Sequence, residues 1–501
     1  MNDNAKKPAS RRIAWGAVAA AMVFVSALSF AVPSAFAQTS EQKNSETKRY
    51  FQVFENVYQF ILKNYVDEVE AKKLYEGAMK GMFEALGDPY SVFLDDAMMS
   101  DMTDVTEGKF GGIGLYISKQ APDPRLSDET PRYIEVVSPI EDTPGWRAGF
   151  KPGDLIIEIN GEGTAPFSTD EAQSRLRGEP GKEVTVKIRR GAGLEFDITV
   201  TRAIIEIPTI KKALIPGKNG STAYLRIVDF TPQTLPRVQD AMKDFDKEGY
   251  TSMIIDVRSN PGGLLQSVIQ IADLFLSQGT IVSTKGRNPY ENSVSRAKAD
   301  LAVSADKPII LLINRGSASA SEILAGALKD NKRAFLVGEN SYGKGSVQQI
   351  FPVDGTGFKL TMARYYTPSD ENIDKTGIPP DLESKDPALN PEEIAILEKL
   401  YKSGKIPEYA EKNPDADAVA RNAFAAKLAE GGFALPENIL RRLVRDELAR
   451  TKVAQIYDLE FDIALVAALK TLERPDFASL VAETKTVKEL VSAKRLAEAK
   501  K

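Results

Sequence analysis

Apolar residues recur at helical spacing in the first part of the chain. Between Phe51 and Tyr65, and again between Leu74 and Leu86, nearly every third or fourth residue is apolar, which predicts two helices. The turn signal GDPY directly after them ends the second helix. The aromatic residues of the first helix favour a packing or dimer face. The preceding segment, 38–48, is polar, and we expect a linker there.

Three further patterns follow along the chain. From Phe110 to about Arg202, short alternating runs are separated by Gly and Pro turns, which indicates a β-rich domain. From Ala223 to about Asp381, strand-like runs such as SMIIDV alternate with helical runs, which is typical of α/β layering around a buried sheet. After Asn390 the pattern is helical. We therefore expect a linker and helical region at 38–105, a β-rich domain at 106–204, an α/β core at 205–388 and a helical region at 389–501.

The N-terminus has the layout of a secretory signal peptide. Four basic residues precede an apolar run from Ile13 to Val32, and Ala35 and Ala37 fit a small-x-small cleavage site. We expect residues 1–37 to form the signal peptide and the protein to be periplasmic or secreted. At about 20 residues the run is also long enough to span a membrane. An uncleaved anchor is therefore the alternative.

The composition excludes several kinds of chemistry. The formal net charge is -5, and no block of basic residues recurs on one face, which argues against a nucleic-acid partner. The chain has no Cys and no His. Thiol nucleophiles, disulfides, the familiar zinc sites and every His-based triad are therefore excluded. We expect no cofactor and no metal site.

The segment NRGSASASEILAGALKD places three serines between a strand-like run and a helix-like run. Ser319 stands three residues before Glu322, which is the spacing of a capping box at a helix start. The same geometry would expose a nucleophile at the carboxyl edge of the sheet, where open α/β folds bind ligands. The pattern alone leaves both interpretations open.

The segment GENSYGKGSVQQIFPV offers a base, because Lys344 lies between two glycines. A desolvated lysine can lose its proton and act as a general base. A solvated turn lysine is the simpler interpretation. Gly338–Lys344 also matches the start of a phosphate-binding loop, but Gly345 stands where Ser or Thr would bind Mg²⁺ and no helix pattern follows. We therefore disfavour nucleotide binding.

A third segment, IIDVRSNPGGLLQ, joins a buried strand to a helix through paired glycines. Such a turn lets main-chain N–H groups approach a substrate carbonyl. An ordinary βα turn would look much the same.

Taken together and in this order, the three segments resemble the C-terminal processing peptidases, serine proteases with a Ser/Lys dyad. The resemblance runs from about Tyr50 to Asp381 and implies a multidomain α/β protein. Its parts would be a ClpP/crotonase-like protease core, a PDZ domain, and helical N- and C-terminal regions. It also implies site residues, namely Ser319 as nucleophile, Lys344 as base, Gln348 as the residue that positions the lysine, and the amides of Gly263 and Ala320 as oxyanion hole.

Two expectations follow for the site. In a straight strand, residues four apart are separated by roughly 13 Å. A contact between Lys344 and Gln348 therefore requires a coiled or one-turn helical segment. A catalytically silent PDZ adaptor or chaperone with the protease fold is the alternative function, but the intact Ser319/Lys344/Gln348 set argues against it.

The β-rich domain resembles a PDZ domain through FGGIGL (110–115) and AGFKPGDLIIEINGE (148–162). The resemblance implies a carboxylate-binding loop formed by Phe110, Gly111, Gly112, Ile113 and Gly114. A substrate with an exposed C-terminus could then pair with the following strand. We expect protein or peptide substrates as partners. We read the C-terminal helical region as an assembly or adaptor-docking face, so a homo-oligomer and an adaptor protein are further partners to test.

Overall fold

The computed structural model describes most of the chain, in two compact units of residues 1–93 and 94–501. The described residues are 35–96, 98–99, 109–119, 131–140, 143–151, 153–190, 194–206, 208–298, 301–385, 389–449 and 455–498. The predicted signal peptide, except for its last three residues, lies outside them.

The described residues of the first unit form the helices α1 (Ala35–Asn64) and α2 (Ala71–Glu84). The expected linker at 38–48 is wrong, because these residues belong to α1. They include Glu, Gln and Lys, which are good helix formers, and α1 contains neither Gly nor Pro. A short strand, β1 (Val92–Leu94), stands at the boundary of the two units.

The β-rich domain is built on an antiparallel sheet with strand order β3-β4-β5-β7-β8, and β6 pairs with β5. Alternate residues of β7 point inward, and Val184, Val186 and Ile188 are buried in its core. Its strands and helices are β2 (Lys109–Gly112), β3 (Leu115–Lys119), β4 (Ile134–Pro139), α3 (Pro144–Arg147), β5 (Leu155–Ile159), β6 (Glu162–Gly163), α4 (Thr169–Leu176), β7 (Glu183–Arg190), β8 (Leu194–Thr201) and β9 (Ala203–Glu206).

The α/β core has a central sheet with strand order β10-β11-β12-β15-β16-β19, parallel except for the β10–β11 pair. This confirms the predicted α/β layering. Its elements in chain order are β10 (Ile210–Ile215), β11 (Thr222–Ile227), α5 (Thr234–Glu248), β12 (Ser252–Asp256), α6 (Leu265–Asp273), β13 (Thr280–Gly286), β14 (Ser293–Arg296), β15 (Ile309–Ile313), α7 (Ala320–Asp330), β16 (Phe335–Gly338), β17 (Ser346–Val353), β18 (Thr356–Tyr366) and β19 (Leu382–Glu383).

Both faces of the central sheet are covered, which explains why its middle strands are apolar throughout. Met253 and Ile255 of β12 pack in the core that contains α5, α6 and α7. Ile254, between them, points to the opposite face. All five residues of β12 and of β15 are buried.

The C-terminal region divides into two parts with different partners. Helices α8 (Pro391–Ser403), α9 (Lys405–Lys412), α10 (Ala418–Glu430) and α11 (Glu437–Ala449) form a core of their own. Helices α12 (Ile463–Leu472), α13 (Phe477–Ala482) and α14 (Val487–Glu498) follow.

These last helices complete the peptidase core. Leu465, Ala468 and Phe477 cover the sheet face to which Ile254 points, and Val487 of α14 packs on the opposite side. The apolar residues of these helices are used inside the core, so an assembly or adaptor-docking face would have to use their outer surfaces and stays a prediction. No helix among the described residues is both long and apolar enough to cross a membrane.

Candidate active site

Ser319 lies in the tight turn between β15 and α7. Its φ is 54° and its ψ is −112°, a conformation that costs a non-glycine residue about 1–3 kcal/mol. Its N–H donates to a Glu322 carboxylate oxygen at 2.9 Å, while the Glu322 N–H binds the Ser319 carbonyl oxygen at 2.9 Å. Ser319 is thus the N-cap residue of α7, in a capping box with Glu322. Its side chain is half-buried and stays partly open to solvent.

The two neighbouring serines have structural roles. The Ser317 hydroxyl donates to the Val257 carbonyl oxygen at 2.8 Å, and the Ser321 hydroxyl donates to the Asn260 carbonyl oxygen at 2.9 Å. Both side chains are completely buried. Of the three serines in the motif, Ser319 alone keeps partial exposure.

The turn after β12 is held by Asn260, which is fully buried. Its side-chain amide donates to the Ile227 carbonyl oxygen at 3.0 Å, and its side-chain oxygen accepts from the Gly262 N–H at 2.8 Å. Its main-chain oxygen accepts from the Ala318 N–H at 3.0 Å. Asn260 therefore ties this turn to the residue before Ser319.

The glycines of this turn allow close contact with the serine turn. A Cβ on Gly262 would lie 2.8 Å from the Ser319 Cβ and 3.1 Å from the Ala320 nitrogen. Gly263 has a φ of 135°, which favours glycine. The N–H groups of Gly263 and Ala320 find no acceptor among the described residues. The turns that carry the predicted oxyanion hole thus meet beside Ser319.

Lys344 lies in a coiled loop, residues 341–345, that is fastened to the serine turn. The Tyr342 N–H donates to the Ser317 carbonyl oxygen at 3.0 Å. The Glu322 carboxylate accepts from the Gly343 N–H at 2.7 Å and from the Lys344 N–H at 2.9 Å. Lys344 itself is half-buried. The main-chain N–H groups of Ser319 and Lys344 therefore both bind the Glu322 carboxylate.

Burial raises the pKa of the Glu322 carboxyl, although the hydrogen bonds from Ser341, Lys344, Gly343 and Ser319 act in the opposite direction. Ser341 adds a side-chain hydrogen bond at 2.5 Å. The Ser-x-x-Glu spacing pointed to Glu322 only as a capping residue. Its link to the lysine loop, 21 and 22 residues away, has no local sequence signal.

Gln348 follows the lysine loop in β17. The coil that a contact between Lys344 and Gln348 would require ends at Gly345, because strand pairing begins at Ser346, with a bulge between Val347 and Gln348. The Gln348 side-chain amide donates to the hydroxyls of Ser346 and Thr361, at 2.9 and 3.2 Å. A role of Gln348 toward Lys344 stays a prediction.

The predicted carboxylate loop is only partly a loop. Phe110, Gly111 and Gly112 belong to β2, which pairs with β9. Their glycines fit this pairing, because a Cβ on Gly111 would lie 2.2 Å from the Gly178 carbonyl oxygen. Only Ile113 and Gly114 connect β2 to β3.

A cavity of about 180 Å³ opens between β3 and α4. Of the predicted loop residues, Gly111 alone is absent from its lining. The lining residues are Phe110, Gly112, Ile113, Gly114, Leu115, Tyr116, Ile117, Ile140, Gln173, Leu176 and Arg177. Arg177 lies 4.7 Å from the centre of the Phe110 ring. Since β3 is at the edge of the described sheet, the cavity adjoins an open strand edge.

Comparison with known proteins identifies the parts of the chain. The model of Peptidase family S41 matches residues 221–384, a PDZ domain model matches residues 135–190, and the model named Activating protease CtpB N-terminal domain matches residues 14–98.

Relatives match across these parts. A carboxy-terminal-processing protease of Bartonella bacilliformis is 40% identical over 353 residues, which are 69% of this chain and 77% of that protein. The carboxy-terminal processing protease CtpB of Bacillus subtilis is 35% identical over 353 residues, 69% of this chain and 70% of that protein. A solved structure titled photosystem II D1 C-terminal processing protease is 25% identical, covers 67% of this chain and 92% of its own, and has a TM-score of 0.41. The chain therefore belongs to the carboxy-terminal processing proteases, serine-type peptidases of family S41 with a PDZ domain.

Proposed function

We propose that this peptidase cleaves peptide bonds through attack by Ser319, with Lys344 as general base. The observation that carries this proposal is the placement of Ser319. Its hydroxyl is the one in the serine motif that the fold does not bury, and it stands at a strained turn against Gly262.

The mechanism would proceed in two halves. Neutral Lys344 takes the Ser319 proton as the hydroxyl oxygen attacks the substrate carbonyl, and the N–H groups of Gly263 and Ala320 stabilise the oxyanion. Protonated Lys344 then gives its proton to the leaving amine, which leaves an acyl-serine. Water, activated by the same lysine, hydrolyses this ester and restores both residues. Gln348 would help to orient the lysine.

Substrates would be captured by their C-termini at the cavity beside β3. The open edge of β3 supports strand addition, because an incoming peptide could complete its main-chain hydrogen bonds there. Gly112, Ile113 and Gly114 place main chain at the cavity wall, and Arg177 adds a positive charge. These groups suit a chain-terminal carboxylate next to an apolar side chain.

The N-terminal sequence supports a location outside the cytoplasm, either periplasmic or secreted, with anchoring by an uncleaved segment as the variant form. Partners would include protein or peptide substrates with exposed C-termini. A homo-oligomer and an adaptor protein are further proposals.

The direct test is digestion of an unfolded protein that ends in apolar residues. Wild type should cleave it, and Ser319→Ala should not, while Ser317→Ala should keep most activity because its hydroxyl bonds main-chain groups of the fold, the Val257 carbonyl oxygen and the Asn314 N–H. An inactive Ser317→Ala beside a fully active Ser319→Ala would contradict the assignment of the nucleophile.

Capture is tested separately with the same substrate in two forms, with a free or an amidated C-terminus. Amidation removes the anionic charge and should raise the KM with little effect on kcat. Equal KM values for the two forms would exclude carboxylate recognition without touching the assignment of Ser319.

A further inference from the structure

The hydroxyl of Tyr365 contacts the main chains of both proposed catalytic residues. It lies 3.3 Å from the Ser319 carbonyl oxygen and also binds the Lys344 carbonyl oxygen. A third neighbour, the Glu322 carboxylate, is 3.3 Å away. Tyr365 lies in β18, distant along the chain from both residues.

Glu322 and Tyr365 therefore act on main-chain groups of the same two residues. The Glu322 carboxylate accepts from the N–H groups of Ser319 and Lys344, each at 2.9 Å. The Tyr365 hydroxyl meets the carbonyl oxygens of the same two residues. This arrangement fixes the distance between two loops that no continuous secondary structure joins.

Tyr365 is itself held firmly. Its side chain is 1% exposed and packs in the core that contains α6 and α7. Its N–H donates to the Gly345 carbonyl oxygen at 3.0 Å, and its carbonyl oxygen accepts from the Asn372 side-chain amide at 2.9 Å. The packing of the ring and the main-chain hydrogen bonds of Tyr365 therefore fix the position of its hydroxyl beside Ser319 and Lys344.

We propose that the Tyr365 hydroxyl is a positioning group that sets the separation of Ser319 and Lys344. The inference rests on the proposed roles of these two residues. A strained turn and a coiled loop must keep a nucleophile and a base aligned, and a misplacement of about 1 Å can cost about 100-fold in rate. The phenolic hydroxyl, whose single proton is shared between the Lys344 and Ser319 carbonyl oxygens, restrains that misplacement, and the aromatic ring alone does not.

The test is Tyr365→Phe, which removes only the hydroxyl. The rate constant for modification by a fluorophosphonate, a reagent that reacts with activated serines, is measured per titratable active site. We expect it to fall about 10- to 100-fold. The kcat for a peptide should fall by a similar factor while the KM stays within about two-fold, because the PDZ cavity is unchanged. Replacing Tyr365 by 4-aminophenylalanine, which keeps a donor, should restore most of the rate.

The matched control is Tyr366→Phe on the same strand. It keeps the ring, whose centre lies 4.2 Å from the Lys285 ammonium, and should react at the wild-type rate. The proposal is overturned if Tyr365→Phe loses titratable sites but each remaining site reacts at the wild-type rate, since the hydroxyl would then only stabilise the fold. A Ser319→Ala protein that reacts like wild type would instead overturn the proposed function.

Discussion

The proposed role of Lys344 as base has a signature that can be measured at a single residue. Lys344 must be neutral to accept the Ser319 proton, whereas a free lysine has a pKa of about 10.4. Serine modification by fluorophosphonate should therefore rise with pH in one step, and no histidine can contribute because the chain has none. Lys344→Arg should be inactive at every pH, since a guanidinium does not deprotonate in proteins. If the arginine variant reacts with the wild-type rate and profile, Lys344 is not the base.

Glu322 links pH to stability. Burial raises its pKa above the ordinary value of 4.5, so the folded state favours the protonated carboxyl. Its contribution to stability is full below pH 4.5 and is lost as the pH rises through the folded-state pKa. The unfolding midpoint of wild type relative to Glu322→Gln should therefore be higher at pH 5 than at pH 8. A difference between the two proteins that is constant with pH, or that grows toward pH 8, would contradict this prediction.

At the scale of single elements, α1 presents an unusual surface. Phe51 is 71% exposed, Phe60 67% and Phe54 47%, and α2 has no buried residue. Two helices that bury so little are not stabilised by their own contacts. We expect this exposed apolar surface to pair with another copy of the chain. Phe54→Asp with Phe60→Asp should shift the protein to a smaller species in analytical ultracentrifugation, whereas Gln52→Asp with Gln59→Asp, on the polar face, should not. An unchanged sedimentation coefficient in the phenylalanine variant would remove α1 from any self-association.

Gly112, at the end of β2, and Gly114, in the β2–β3 connection, differ in what an added side chain would meet. A Cβ on Gly112 would meet the Phe110 ring at 3.1 Å, whereas a Cβ on Gly114, at φ 79°, would lie 2.4 Å from Thr143. Gly112→Leu should fill the cavity and raise the KM for a protein substrate several-fold, with little effect on a short peptide. Gly114→Ala should instead lower the melting temperature of the PDZ domain. Equal KM values for wild type and Gly112→Leu would show that the cavity does not receive the substrate.

At the scale of the whole molecule, the C-terminal segment joins distant parts of the chain. Arg258, just before the Asn260 turn, binds Asp462 with two hydrogen bonds of 2.8 and 2.6 Å. Leu465 is completely buried against the central sheet. Leu465→Ala should therefore destabilise the peptidase core by about 2–5 kcal/mol.

The matched control is Val444→Ala, at a fully buried position in the separate α8–α11 core. Hydrogen exchange should accelerate in β12 and β15 for Leu465→Ala, but in α8–α11 for Val444→Ala. If hydrogen exchange in Leu465→Ala accelerates only in α12, the C-terminal segment opens independently of the core, and the prediction is wrong.

The sequence by itself determined the order of strands and helices in the core and the chemistry that could be present. SMIIDV and PIILLIN are apolar because both sheet faces are covered, and this pattern is local and readable. The absence of His and Cys left few bases for a serine. The family motifs then indicated Ser319 and Lys344.

Only the tertiary structure decided which groups surround Ser319 and Lys344. The burial of Ser317 and Ser321, the hydrogen bonds from Tyr365, and the packing of Leu465 all depend on residues tens or hundreds of positions away. Hydrophobic periodicity reports which face of an element is buried, but not which distant side chain covers it. Contacts between separate elements form only when the layers pack, because only then do the serine turn, the Asn260 turn, the lysine loop and β18 come together.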